Sequence, residues 1–203
     1  KQKIFISTGM ANLSEIAKCI NFVAKSKVYS IEKKKIKIMK KSQLSFLKNK
    51  IILMHCVTDY PVSDKYANLK AVKTIKDTFQ LPVGYSDHTN GIIAPIIAAS
   101  FGAELIEKHL TYDQNLKGPD HKASLNPYQF KLMIKNIRSF EQMIGNGIKS
   151  PQICEIKNMK VARKSIVAKK RIKKGEYFTL KNITVKRPSG GKDPSKYFEL
   201  LGK

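Results

Sequence analysis

The feature that most restricts this chain is a repeating texture over residues 1–145. Four short apolar runs alternate with segments whose apolar residues recur at helical spacing. The runs cover residues 4–8, 51–57, 83–86 and 104–110. After the first, Leu13, Ile16, Ala17, Ile20 and Val23 fall on one helix face. Asn12 followed three residues later by Glu15 reads as a capping box. The second run is continuously apolar, as strands of a parallel sheet are. Its helix is expected over 66–79, with Leu69, Val72 and Phe79 on one face. A short apolar helix near 92–101 follows the third run. After the fourth, Asn126 and Pro127 read as the cap and first position of a helix. Its buried stripe would be Phe130, Met133, Ile137, Phe140 and Ile144. Four β-α units in series imply an α/β fold with a parallel sheet. Either an open doubly wound sheet or half of a (β/α)8 barrel satisfies that pattern. The absence of a GxGxxG or P-loop run takes support from nucleotide-type open sheets.

Residues 27–50 fit neither period. They carry nine Lys against one Glu, where a connection of about two to six residues is usual. They read as a solvent-exposed basic insertion. Beyond about residue 150 the texture changes to short alternating runs broken by turn residues, as in a small β-rich domain. The expected organisation is therefore a sheet domain over 1–148, a linker over 149–160 and a small domain over 161–203. The last is expected to stop at Lys203 before its own fold is complete. At the other end, the chain opens without Met directly into a strand-like run, as a cut fragment would.

The net charge of +24 raises the question of nucleic acid. The excess is concentrated in 27–50 and 157–174 and is carried by Lys; Arg occurs only at positions 138, 163, 171 and 187. Base readout and bidentate phosphate contacts favour Arg, so nucleic-acid binding is not expected. No apolar run reaches the ~18 residues of a membrane span, and the start lacks the apolar core of a secretion signal. Cys19, Cys56 and Cys154 are far apart with no CxxC spacing. That predicts a reducing, cytoplasmic compartment, with neither a disulfide framework nor a zinc knuckle.

Active sites of parallel α/β sheets lie at the carboxyl ends of the strands. Here those ends read Ser7-Thr8-Gly9, His55 to Tyr60, Ser86-Asp87-His88-Thr89 and Glu107-Lys108-His109. Side chains two apart share a strand face. Ser86 and His88 therefore point together, as do Glu107 and His109, and Cys56, Thr58 and Tyr60 form a third set. Two imidazoles from neighbouring strands make a candidate metal pair. The alternative is two histidines each satisfied by a hydrogen bond. A two-histidine site completed by water and substrate oxygens suits Mn2+ or Mg2+ better than structural zinc. Gly118-Pro119 turns the next loop so that it presents Asp120, either to a polyol or simply as a turn residue.

The runs ISTGMANLSEI, HCVTDYPV, LPVGYSDHT, ELIEKHLT, GPDHKASLNP and ARKSIVAKKRIKKGEYF with VKRP occur in that order. Together they resemble the bacterial N-acetylneuraminate (sialic acid) synthase family, over nearly the whole chain except 27–50. The resemblance implies the C-terminal half of a (β/α)8 TIM barrel, strands five to eight. Part of an antifreeze-like (SAF) domain follows. It implies metal-dependent condensation of phosphoenolpyruvate with N-acetylmannosamine, or with the diacetylated sugar that leads to legionaminic acid. A non-catalytic remnant of such an enzyme is a further reading. His88 and His109 match the metal ligands, for Mn2+ or Mg2+. Ser7, Thr58 and Ser86 match phosphoenolpyruvate contacts. Tyr60, Glu107 and Asp120 match sugar contacts, and Glu107 is also placed to handle a proton near the aldehyde. Arg187 matches an arginine that reaches into a partner subunit's site, which implies a homodimer. With the first four barrel strands absent, this chain alone is expected to be inactive.

Overall fold

The computed structural model describes residues 2–33 and 35–203, and the chain divides into two compact units, Lys1–Asn146 and Gly147–Lys203. The first opens with strand β1 (Ile4–Ser7) and helix α1 (Leu13–Val23). The capping box forms as expected: the Asn12 side chain accepts from the N–H groups of Ser14 and Glu15, and Glu15 accepts from the Asn12 N–H. Next come the antiparallel strands β2 (Tyr29–Glu32) and β3 (Lys35–Ile38), then helix α2 (Lys41–Lys50). The unit continues with β4 (Ile51–His55), α3 (Lys70–Phe79), β5 (Val83–Asp87), α4 (Ile93–Ser100), β6 (Leu105–Lys108) and α5 (Pro127–Met143).

Strands β1, β4, β5 and β6 form one parallel sheet in that order. The order follows the sequence with no reversal, whereas a doubly wound sheet reverses at its switch point. Strand alternation splits the sheet into two faces. Ile51, Leu53, Val83 and Tyr85 pack with Ile16, Ile20, Val72, Phe79 and Ala98 of the helices in one core. Phe5, Ser7, Met54, Gly84, Ser86 and Glu107 share the other face by register. There Met54 lies over Gly84, where a Cβ would overlap its Sδ.

Residues 27–50 correct the expectation of an exposed insertion. Val28 and Tyr29 are fully buried, and Leu44 and Leu47 join the same core. The Asn21 side chain ties the hairpin to α1 by accepting from the N–H groups of Val28 and Tyr29 and donating to the Tyr29 carbonyl. The Tyr29 hydroxyl reaches the Phe79 carbonyl at 2.7 Å. The lysines concealed this pattern because they occupy the solvent faces of two short periods, Lys-Ile-Lys-Ile in β3 and Leu44/Leu47 in α2.

Helix α5 differs too. Met133 is buried, Phe130, Ile137 and Phe140 are half-buried, and Ile144 is exposed. The helix leaves a cavity of about 310 Å³ against β6 and α4, lined by Phe130, Ile134 and Ile137.

In the second unit, the expected linker over 149–160 holds a 3-10 turn (Ile153–Glu155) and most of helix α6 (Ile156–Ala162). The expected β-rich domain has, among the described residues, one antiparallel pair, β7 (Ser165–Ala168) with β8 (Ile183–Lys186). A short helix α7 (Tyr197–Leu200) follows. Turns occupy most of the rest, tied by local bonds such as those from Asn182 to the Tyr177 carbonyl and from the Thr179 N–H to Asn182. All three cysteines are free. No helix among the described residues is long and apolar enough to cross a membrane.

Candidate active site

At the carboxyl end of the parallel sheet, Ser86 and Glu107 face each other across the β5–β6 pair. The Ser86 hydroxyl donates to Glu107 Oε1 at 2.6 Å. His88 follows on the same face, with Nε2 3.4 Å from Ser86 Oγ and Nδ1 2.8 Å from the Val57 carbonyl oxygen. A carbonyl only accepts, so Nδ1 carries a proton, and in the neutral ring it is Nε2 that keeps its electron pair. Ser86 has one proton, already directed at Glu107. The Nε2 pair of His88 is therefore presented to the cluster without a donor from Ser86.

His109 lies just beyond β6. Its ring centroid is 5.6 Å from that of His88, at right angles. Tyr60 covers both, with its ring 4.1 Å from His88 and 5.8 Å from His109. Asp120 stands 3.9 Å from His109 Nδ1, too far for a hydrogen bond. The loop carrying Tyr60 is pinned where the Val62 N–H donates to the His88 carbonyl at 2.8 Å. Thr58 lies against the β1 exit: a Cβ at Gly9 would overlap its Oγ1 and come within 3.2 Å of Cys56 Sγ.

Of the residues singled out from sequence, Tyr60, Ser86, His88, Glu107, His109 and Asp120 thus form one connected set. Thr58 adjoins Val57, which holds His88. Ser7 is exposed and stands apart; register sets it opposite Met54 on the same face, two strands from Ser86. Arg187 belongs to the second unit, where its Nε donates to the Ala162 carbonyl at 2.7 Å.

Sequence reasoning missed the reverse side of the same strand ends. Asp87 and Lys108 are register partners, and their fully buried side chains form an ion pair at 2.7 Å. Lys108 also donates to the Thr89 carbonyl. Asp87 accepts from the Thr89 N–H at 2.8 Å and from the Tyr85 hydroxyl at 3.0 Å. Burial, reinforced by the Asp87 carboxylate, pushes the Tyr85 phenol above its ordinary range. The signal was present in the alternation: if 86, 88, 107 and 109 face one way, 85, 87 and 108 face the other.

Among the described residues no three His, Cys, Asp or Glu side chains converge as a ready-made cation cage. The two imidazole rings lie 5.6 Å apart, and the hydrogen bond from His88 Nδ1 to the Val57 carbonyl leaves Nε2 as the nitrogen a cation would meet.

A parallel α/β unit with imidazoles, a hydroxyl and a carboxylate at its strand exits, followed by a separate small unit, has the layout of an α/β enzyme. The NeuB family model matches residues 1–149, and the SAF domain model matches residues 163–203. The chain belongs to the NeuB family, whose members similar to it include sialic-acid-type synthases. The first match spans residues 27–50 as well. The chain is 45% identical over 202 residues to N,N'-diacetyllegionaminic acid synthase of Campylobacter jejuni, covering 100% of this chain and 55% of that protein. It is 36% identical over 203 residues to pseudaminic acid synthase of the same species, covering 100% of this chain and 53% of that protein. Among solved structures, N-acetylneuraminic acid (sialic acid) synthetase of Leptospira borgpetersenii, in complex with citrate, superposes with a TM-score of 0.60. It shares 31% identity and matches over 77% of this chain and 48% of that one. The chain spans about half the length of the curated relatives it matches.

Proposed function

We propose that this chain supplies the metal-binding half of a synthase that condenses phosphoenolpyruvate with an N-acetylated amino sugar. The observation that carries the reading is the set of His88, Ser86, Glu107 and His109 meeting at one sheet end under Tyr60. The unreversed strand order supports the C-terminal half of a (β/α)8 barrel over a doubly wound sheet. The other half would come from strands outside this sequence.

His88 and His109 would hold Mn2+ or Mg2+, with water and substrate oxygens completing the coordination. When bound, such an ion supplies Lewis acidity toward the sugar aldehyde. Ser7, Thr58 and Ser86 would bind phosphoenolpyruvate. Tyr60 and Asp120 would orient the sugar. Glu107, already sharing a proton with Ser86, would move a proton at the aldehyde oxygen as carbon 3 of phosphoenolpyruvate bonds to the aldehyde carbon. Water adds at carbon 2, and phosphate leaves with C–O cleavage. Arg187 would reach the sugar from the partner in a homodimer. A cytoplasmic location agrees with the free thiols.

N-acetylmannosamine is the first sugar to test. The diacetylated precursor of legionaminic acid is the second reading, favoured by the 45% identity to the Campylobacter enzyme. The chain is proposed to be inactive alone. It should be mixed with the separately produced N-terminal half of that relative. Phosphate release is then followed with each sugar, with and without Mn2+. Release should require both halves and Mn2+, and the faster sugar names the substrate. Glu107→Gln should slow it by about 10²–10⁴-fold. Undiminished Mn2+-dependent release from His88→Ala would sink the assignment. Mn2+ binding without turnover would instead identify a remnant.

A further inference from the structure

Asp87 lies between Ser86 and His88 along one strand; Lys108 lies between Glu107 and His109 along the next. The two are direct register partners, and each side chain is fully buried on the face away from the cluster. Lys108 bonds both the Asp87 carboxylate and the Thr89 carbonyl, so its two anchors bracket His88 along the chain. Asp87 is itself fixed by the Thr89 N–H and the Tyr85 hydroxyl. A buried ion pair is weak evidence for stability, because well-packed apolar side chains often serve as well. Its best-attested use is to fix register.

We propose that Asp87 and Lys108 form a positioning clamp that sets the separation of the His88 and His109 rings, and so the affinity of the two-imidazole cation site. Joining the pair on one face fixes how the alternate side chains leave the other. The backbone carbonyl at 89 and the peptide leading to 109 are both held by one ammonium group. Only the cation-affinity half of this inference rests on the proposed metal site; the ring spacing stands without it.

The test uses this chain held in its complex with the complementary half of a relative, and two readouts. In the metal-free chain, proton NMR should show a cross-ring NOE between His88 and His109, whose centroids are 5.6 Å apart. With Mn2+ added, pulsed EPR should show coupling to two imidazole nitrogens. Asp87→Asn with Lys108→Met keeps the net charge and breaks the clamp. It should lose the cross-ring NOE, keep the Tyr29–Phe79 NOE of the core, and bind Mn2+ about 10–100-fold more weakly. Asp87→Asn with Lys108→Gln is the second variant if the first does not fold, because it keeps both positions polar and leaves no buried charge unpaired. It too keeps the net charge, so weaker Mn2+ binding marks positioning rather than charge. An unchanged ring NOE in either folded variant overturns the clamp. A wild-type chain with the ring NOE but no imidazole coupling to Mn2+ overturns the metal reading and the affinity half, leaving the spacing half standing.

Discussion

At the level of single residues, Gly9 is fixed by a neighbour rather than by its backbone. A Cβ there would overlap Thr58 Oγ1 and crowd Cys56 Sγ. Gly9→Ala should cost about 1–3 kcal/mol, as overpacking does, seen as a lower midpoint in urea. Thr58→Ala in the same chain should restore most of it. His55 offers a pH test. It is buried, donates Nε2–H to the Ala67 carbonyl at 3.0 Å and stacks on Tyr85. Burial holds its pKa below the ordinary 6.5. Below about pH 6.5 the unfolded chain therefore takes up a proton that the folded chain refuses. The contribution is intact above that pH and is lost as pH falls beneath it, by at most about 1.4 kcal/mol per unit until the folded group titrates. Urea midpoints from pH 7 to 5 should fall less steeply in His55→Gln. Equal slopes would remove His55 as the source.

Among the elements, the segment over 27–50 departs furthest from its local sequence. Its helix α2 has no side-chain cap, and its sequence offers few apolar residues. Yet Leu47 is 1% exposed within the main core. Leu47→Ala should cost about 2–5 kcal/mol by thermal or urea unfolding. A surface insertion would lose less than about 0.5 kcal/mol. The helices with capping boxes behaved differently. Asn12 and Asn126 are caps where the sequence put them, because a cap is satisfied within a few residues of chain. The α5 stripe was legible as a period but not as a burial pattern. How deeply Phe130 or Ile144 sits depends on what the rest of the unit sets against that helix.

Across the whole molecule, the parallel sheet is open at both sides: among the described residues β1 and β6 each have one paired neighbour. Phe5, on the face opposite the helices, is 53% exposed. Unpaired edges beside exposed apolar surface recruit further chain. This chain by itself is therefore expected to self-associate, and light scattering after size exclusion should show it. Adding the complementary half of a relative should convert the associated material to a defined complex. A stable monomer that ignores the added half would contradict that expectation.

The sequence by itself determined the α/β alternation, the caps and the polar residues at the strand exits. Those follow from periods and side-chain parity that act within a strand, a turn or a helix. It also carried the family resemblance, since the motifs around His88, His109 and Asp120 are local strings. The tertiary structure alone decided three things: that the lysine-rich segment is folded, that α6 occupies much of the expected linker, and that Asp87 and Lys108 meet behind the histidines. The first and third depend on partners supplied from elsewhere in the chain: Phe79 for Tyr29, the sheet core for Leu47, and β5 for Lys108. Charge marked these residues as solvent-facing, while burial was settled by neighbours that no local window contains.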